Sequence, residues 1–260
     1  MLLNATTLLA TVAVPIIFGS GCFWGRQHGF VQLERGLFQR SAENVTAVGV
    51  YFGGRANTSS PAGPAAVEAC YYNQHDVSVY SSEGHAEAVA VDVPGQHVAA
   101  AFAAFFSSFV EVAEGVWVRE DTFDVGPGYR ALLGFPGGMH NMTMMRLLRQ
   151  ADPHNTTFAE GRGGDKDTLG ENKVWIYDTI ATTEDPGSRL AFPSFQTELC
   201  LQFHNNQTGR YPKSYHDLKQ ILLNNKRLAP THCPRPEIVS CTEQDSSTVP
   251  AGRLGLKVLH

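Results

Sequence analysis

The chain has 260 residues, of which 43% are hydrophobic and 17% are charged, a composition typical of a globular protein with a substantial buried core. This length predicts one large domain, or a core domain with insertions. The net charge is -5 and no local cluster of lysine and arginine is visible, which excludes the basic surface expected of a nucleic-acid-binding protein.

Hydrophobic periodicity and glycine-rich breaks predict alternating strands and helices. In chain order, the predicted elements are a strand at 14–18, a helix at 23–37, a strand at 45–52, a strand at 85–93, a helix at 96–112, a strand at 131–135, a helix at 139–149, a strand at 173–178 and a helix within 211–225. This succession predicts a fold that mixes α and β elements in layers.

The N-terminus and the glycosylation sequons bear on the compartment. Residues 8–18 are apolar apart from Thr11 and Pro15, which is typical of a buried strand or of a signal-peptide core, and is too short for a membrane span. Sequons exceed the roughly one or two expected by chance, which favours the secretory pathway or an extracellular glycoprotein over the cytoplasm or an organelle. They begin at Asn4, Asn44, Asn57, Asn141, Asn155 and Asn206.

The strongest chemical signal is Cys22, which follows a predicted strand and opens a predicted helix. Backbone N–H groups and the helix dipole at that position favour a thiolate and predict a lowered pKa. Gly19 and Gly21 permit the sharp turn that exposes the sulfur, and Phe23 and Trp24 supply an aromatic wall. The same pattern also fits a buried structural cysteine among core aromatic residues.

Two other motifs are weaker. The glycines of residues 19–25 resemble a dinucleotide-binding loop, but their spacing is one residue too long and Phe23 and Trp24 would crowd a pyrophosphate. His85 and Glu87 open like the motif of a zinc deaminase, but the required pair of cysteines does not follow. No metal site is therefore predicted, and His85 is interpreted as a structural residue.

Five segments, taken together and in order, resemble the A-type peptide methionine sulfoxide reductases. The segments are GCFWG at 21–25, VGVYFGG at 48–54, GHAEAV at 84–89, DVGPGYR at 124–130 and YHDL at 215–218. The resemblance is firm over residues 16–135 and weak over residues 136–210. In the fourth segment Gly128 stands where the family has glutamine, and the chain therefore resembles a divergent member.

The resemblance implies a fold and a domain plan. The fold class would be α+β, a two-layer α/β sandwich with a mixed sheet and a ferredoxin-like core, followed by an irregular C-terminal tail. Residues 1–15 would be a signal peptide or N-terminal extension, 16–226 the catalytic domain with a surface insertion at 152–172, and 227–260 a tail with recycling cysteines. We expect a monomer without a membrane span.

The resemblance also implies the chemistry, which is reduction of methionine S-sulfoxide to methionine in oxidised proteins, in peptides or as the free amino acid. Cys22 would attack the sulfoxide sulfur and become a sulfenic acid. Glu87 would act as the acid and Tyr129 would donate a hydrogen bond to the sulfoxide oxygen. Asp124 would orient a water or the thiol in the same pocket.

The substrate would lie against aromatic side chains, which are Phe23, Trp24 and Tyr72. The family has a second pocket tyrosine about a dozen residues before the acid. His75 occupies that spacing here, so Tyr72 or Tyr80 is expected to replace the tyrosine. No bound cofactor is implied, and an external thiol reductant of the thioredoxin type is expected.

The remaining cysteines bear on how the sulfenic acid of Cys22 returns to a thiol, which requires a second thiol. Cys233 follows the last matching segment at the place of a recycling cysteine, and Cys241 is a second candidate. Alternatively, Cys233 and Cys241 form a structural disulfide, and Cys70 and Cys200 form another. The sequence leaves this connectivity open.

Two other functions fit the same residues. The chain could be a binding protein that keeps the fold and has lost turnover, because the second pocket tyrosine is changed. It could also reduce peroxide through Cys22, a reaction that would not need Phe23, Trp24 or Tyr129. Retention of the four residues assigned to catalysis, Cys22, Glu87, Asp124 and Tyr129, favours the reductase.

Overall fold

The computed structural model describes residues 12–54, 69–71, 80–180, 192–205, 209–231 and 233. Its helices are α1 (Phe23–Gly36), α2 (Val98–Phe106), α3 (Met142–Ala151), α4 (Lys213–His216) and α5 (Leu218–Asn224). Its strands are β1 (Ala13–Gly19), β2 (Val48–Phe52), β3 (Ala86–Pro94), β4 (Phe109–Ala113), β5 (Val116–Arg119), β6 (Leu132–Phe135), β7 (Thr157–Glu160), β8 (Lys173–Asp178) and β9 (Ser194–Gln196).

Seven of these strands form one mixed sheet, in the order β7-β8-β6-β1-β3-β2-β9. The central strand β1 is antiparallel to both β3 and β6, whereas β8 is parallel to β6 and β7. β1 is apolar and buried over most of its length, as expected of a strand with neighbours on both sides. The mixed sheet and its few helices agree with the predicted α+β class.

Helix α1 packs on this sheet and carries the candidate nucleophile at its start. Phe30 stacks on Phe18 of β1 with ring centroids 4.3 Å apart, and both side chains are buried. Burial of an aromatic side chain of this size stabilises a fold by about 2–3 kcal/mol. Gln27, fully buried on the same helix, donates to the carbonyl of Ala47 and accepts from the N–H of Phe203. These contacts hold α1 against two distant segments.

The predicted helix at 96–112 is wrong in its second half. Helix α2 ends at Phe106, and β4 and β5 form a two-stranded antiparallel hairpin that is separate from the main sheet. Alternating valines, Val110 and Val112 before the turn and Val116 and Val118 after it, favour strands over a helix. This hairpin leads directly into the loop that caps the candidate site.

The other predicted elements are confirmed, with shifted ends. The strand at 173–178 is reproduced as β8, and the helix within 211–225 is split into α4 and α5. The segment at 152–172, predicted as a surface excursion, contributes β7 to the edge of the main sheet. The short strand β9 was not predicted. No helix in the described part of the chain is long and apolar enough to cross a membrane.

Candidate active site

Cys22 lies in the tight turn between β1 and α1. Gly21 has a φ of +73°, and a Cβ atom at that position would lie 2.5 Å from the side chain of Asp121. Only glycine therefore fits the turn. The N–H of Gly21 donates to the carbonyl of Tyr129 at 3.0 Å, which joins the turn to the DVGPGYR segment. The sequence correctly placed the cysteine at a helix start.

Three successive backbone N–H groups at the start of α1 point at three functional groups. The N–H of Cys22 donates to Asp121 Oδ2 at 2.8 Å, and the N–H of Phe23 donates to Glu87 Oε2 at 2.9 Å. The N–H of Trp24 donates to the Cys22 sulfur. Two carboxyl groups thus take the place of an ordinary helix cap. Asp121 was missed at the sequence level because no spacing relates it to Cys22, 99 residues away.

The thiol of Cys22 has a raised pKa in the folded protein, so the lowered pKa predicted from the sequence is wrong. Burial is the largest cause, and the neighbouring Glu87 adds to it. The hydrogen bond from the N–H of Trp24 favours the thiolate, as predicted for a helix start, but is outweighed. Cys22 is therefore a neutral thiol that must lose its proton during any reaction as a nucleophile.

Glu87 is the acid best placed to exchange that proton. It lies on β3 opposite Tyr51 of β2 and is 2% exposed. Burial raises the pKa of Glu87 to about 8, although hydrogen bonds from Phe23 and from the Cys22 thiol oppose the shift. At neutral pH Glu87 is consequently protonated in most protein molecules, which agrees with the role of acid expected from the sequence.

The opposite side of Cys22 carries a pair of aspartates, Asp121 and Asp124. Burial opposes ionisation of Asp121, but hydrogen bonds from the N–H groups of Cys22, Asp124 and Phe123 outweigh it and lower the pKa. The pKa of Asp124 is raised, first by burial and then by its contact with Asp121. Asp124 thus lies in the polar pocket as expected, where its charge also acts on Cys22 and Glu87.

Tyrosine hydroxyl groups converge on the same point. The hydroxyl of Tyr80 donates to Glu87 Oε1 at 3.3 Å. Tyr80 and Tyr71 each hydrogen-bond to the hydroxyl of Tyr129, and burial raises the pKa of both Tyr80 and Tyr129. Tyr80, one of the two replacements expected for the second pocket tyrosine, is therefore beside the acid. Tyr72 lies outside the described residues, and Tyr71 was not foreseen.

The two aromatic residues after Cys22 differ in exposure. Phe23 is 1% exposed and belongs to the hydrophobic core, whereas Trp24 is half-buried. The Trp24 ring meets the ring of His204 edge-on, with centroids 4.3 Å apart. Trp24 thus offers the accessible apolar surface beside the thiol, and Phe23 supports it from below. His204 was missed because its position depends on a local left-handed backbone with φ of 55°.

Buried polar residues hold the segments of the site together. Arg130 donates to the carbonyls of Gly53 and Gly84 at 2.9 Å each and, through Nε, to the hydroxyl of Tyr177. Neutral carbonyl and phenol oxygens are thus partners of the Arg130 guanidinium. His85 accepts from the N–H of Gly54, and burial lowers its pKa to about 4. His85 is a structural residue, as interpreted from the sequence.

The cysteine pairing differs from both pairs considered at the sequence level. Cys70 and Cys233 form a disulfide, and Cys200 is also disulfide-bonded. A carboxylate oxygen of Glu198 lies within 4.8 Å of both sulfur atoms of the first disulfide, an arrangement that could bind a metal ion only after reduction to thiols. Cys22 is the one free thiol in the described part of the chain, and Cys241 lies outside it.

No protein-family model, curated protein or solved structure matches this chain. Function must therefore be inferred from the chemistry of the site. That chemistry consists of a neutral thiol at a helix start, a protonated carboxylic acid hydrogen-bonded to it, and phenol hydroxyl groups within reach of the acid. Such a site can accept an oxygen atom from a substrate and supply the protons that the oxygen needs.

Proposed function

We propose that this chain reduces methionine S-sulfoxide to methionine through Cys22, as a divergent relative of the A-type peptide methionine sulfoxide reductases. The observation that carries the proposal is the hydrogen bond between the Cys22 thiol and a Glu87 that is protonated at neutral pH. A sulfoxide is attacked by sulfur only if its oxygen is protonated or hydrogen-bonded at the same time. The site supplies both the nucleophile and the proton donor.

In the proposed reaction, the sulfur of Cys22 forms a bond to the sulfoxide sulfur while Glu87 transfers its proton to the oxygen. The thiol proton passes to Glu87, which ends as it began. The sulfur–oxygen bond of the substrate then breaks as the hydroxyl group passes to the Cys22 sulfur. The bond between the two sulfur atoms breaks with its electron pair on the substrate sulfur, so the products are methionine and a sulfenic acid on Cys22. The substrate sulfur gains two electrons and the Cys22 sulfur loses two, so atoms and charges balance.

The other residues would orient the substrate. Tyr129 and Tyr80 would donate hydrogen bonds to the sulfoxide oxygen, since both hydroxyl groups lie at the acid. Trp24 would contact the methyl group, with Phe23 behind it, and would favour one epimer. The charge of Asp124 contributes to the raised pKa of Glu87 and so helps to keep the acid protonated.

The family fold and setting belong to the same proposal. The central part of the mixed sheet would correspond to the ferredoxin-like core of the A-type reductases. Gly128, which replaces the glutamine of the family, gives room to Tyr80, because a Cβ atom there would lie 3.2 Å from the Tyr80 ring. Disulfides form in oxidising compartments, which supports a secretory or extracellular location and a role in repair of oxidised proteins.

Peroxide reduction at Cys22 fits the site less well. A peroxidase depends on a resting thiolate, because the thiolate is the nucleophile and peroxide carries its own leaving group. Burial and Glu87 raise the pKa of Cys22 instead. The neutral pair of thiol and carboxylic acid favours a substrate whose oxygen must be protonated.

The direct test is steady-state turnover of tagged methionine S-sulfoxide with dithiothreitol, with the R epimer as the control substrate. We expect reduction of the S epimer alone and no detectable turnover by Cys22→Ser. Glu120→Gln, which changes an exposed carboxylate next to Asp121, serves as the matched control and should keep wild-type turnover. Failure on both epimers of the folded wild type, with Cys22 as a free thiol and Cys70–Cys233 intact, would leave a binding protein as the better explanation.

A further inference from the structure

The Cys70–Cys233 disulfide is attached to the tyrosines of the candidate site. The carbonyl of Cys70 accepts from the N–H of Tyr80 at 2.7 Å, and Tyr71 follows Cys70 directly in the chain. Both tyrosine hydroxyl groups reach Tyr129. The half-cystine therefore fixes the backbone of the two residues that supply phenol groups to the site.

Glu198 forms a second connection between the disulfide and the site. Its two carboxylate oxygens accept from the N–H of Tyr71 and from the hydroxyl of Tyr51, each at 2.8 Å. The Tyr51 ring stacks on Tyr80, with centroids 4.4 Å apart. Glu198 is 6% exposed and lies within 4.8 Å of both disulfide sulfurs. Disulfide, carboxylate and tyrosines thus form one buried unit.

We propose that the Cys70–Cys233 disulfide is a permanent clamp on the substrate pocket and that the sulfenic acid of Cys22 is returned to a thiol by an external thiol. This inference rests on the proposed function. A resolving role for Cys233 would require the disulfide to open in every cycle, which would remove the covalent constraint on Cys70, the residue before Tyr71. Cys233 therefore cannot both hold the pocket tyrosines in place and return the Cys22 sulfenic acid to a thiol.

The external thiol completes the cycle in two balanced steps. A first thiol condenses with the sulfenic acid of Cys22, which forms a mixed disulfide and releases water. A second thiol attacks that mixed disulfide, which restores the Cys22 thiol and releases the oxidised reductant as a disulfide. The two thiols supply the two electrons that the sulfoxide consumed. Cys22 is half-buried, which favours a small thiol over a bulky one as the reductant.

The first experiment follows the fate of Cys22 in the native, disulfide-bonded protein without reductant. Cys22 is oxidised with one equivalent of methionine S-sulfoxide in one arm, or with excess hydrogen peroxide over a long incubation in a second, because the neutral thiol reacts slowly with peroxide. Each sample is then divided between dimedone and glutathione before peptide mapping. We expect a dimedone adduct on Cys22 with Cys70–Cys233 intact, and a mixed disulfide on Cys22 after addition of glutathione. A disulfide between Cys22 and any other cysteine of the chain would overturn the proposal. If the proposed function alone fails, the peroxide arm still gives the expected adduct.

The second experiment uses the double variant Cys70→Ala/Cys233→Ala. It distinguishes a disulfide that holds the pocket in place from a Cys233 that resolves the sulfenic acid. A clamp predicts that KM for the sulfoxide rises about tenfold while glutathione resolves the peroxide-generated sulfenic acid at the wild-type rate. An unchanged KM with impaired resolution would assign Cys233 to recycling. If the double variant does not fold, Tyr71→Phe keeps the disulfide and should raise KM by about 3–10-fold, and an unchanged KM would contradict the clamp.

Discussion

Cys22 lies between two carboxyl groups whose pKa values are shifted in opposite directions by the fold. On one side Glu87 is buried on β3, with a pKa of about 8, and shares a hydrogen bond with the thiol. On the other side Asp121 lies in a more exposed loop and accepts three backbone hydrogen bonds that lower its pKa. Desolvation therefore makes a proton donor of one carboxyl group, whereas N–H donors make a helix cap of the other.

Among variants of these carboxyl groups, Glu87→Gln should have the largest effect on activity. Glutamine keeps an oxygen for the N–H of Phe23 but has no proton to transfer, so we expect the single-turnover rate to fall by about 10²–10⁴-fold. Rapid-quench measurement of methionine release tests this expectation. Glu120→Gln should react like the wild type, and a Glu87→Gln rate within twofold of it would remove Glu87 from the mechanism.

Glu87→Gln should also change how the stability of the protein depends on pH. Because the pKa of Glu87 is raised from 4.5 to about 8 on folding, the unfolded state ionises first, and the free energy of unfolding of the wild type decreases as pH rises between these values. Glu87→Gln has no carboxyl group at this position, so its free energy of unfolding lacks this decrease with pH. Urea titrations at pH 5 and pH 8 should show the variant gaining roughly 2–5 kcal/mol on the wild type between the two. A constant difference would mean that Glu87 is ionised in the folded state.

Asp121→Ala removes the opposite side of the pair and should act mainly on stability. Loss of a helix-capping acceptor costs about 1–2 kcal/mol, measurable by urea unfolding at pH 7. Because folding lowers the pKa of Asp121, its contribution is complete above 3.8 and is lost as pH falls through the folded value. Equal stability of variant and wild type at pH 7 would contradict the capping role.

Asp124→Asn should have the smallest effect. Asp124 is partly exposed and raises the pKa of Glu87 through its charge, without capping the helix. The variant should therefore shift the high-pH limb of the activity profile downward by less than about one pH unit, with stability nearly unchanged. An upward shift of that limb would show that Asp124 does not act on Glu87 through its charge.

Local sequence patterns predicted one half of the site and long-range contacts supplied the other half. The position of Cys22 followed from an apolar strand, glycines and a helical period, which are all local. Asp121, Tyr71 and Glu198 carry no such signal, because a hairpin, a disulfide and the short strand β9 bring them near the site. The lowered pKa predicted for Cys22 was wrong for the same reason, because burial of the thiol in the folded protein is the largest cause of its raised pKa.

The secondary structure was likewise predicted well where local patterns are strong and less well where they are not. Residues 173–178 were predicted within the limits of β8 because alternating valine, isoleucine and aromatic residues leave little choice. The helix predicted at 96–112 was too long because its alanine and phenylalanine run continues into a valine-rich hairpin without a proline or a glycine between them. Local propensity marks the type of an element better than its end.

The reaction of a neutral thiol beside a protonated Glu87 can be tested through the pH dependence of single-turnover methionine release between pH 6 and pH 9.5. We predict a wild-type rate that is level at low pH and falls above about 8, the pKa of Glu87, and a slow, level rate for Glu87→Gln. A wild-type rate that rises with pH through 8, as for a free thiol that reacts on ionisation, would contradict the claim.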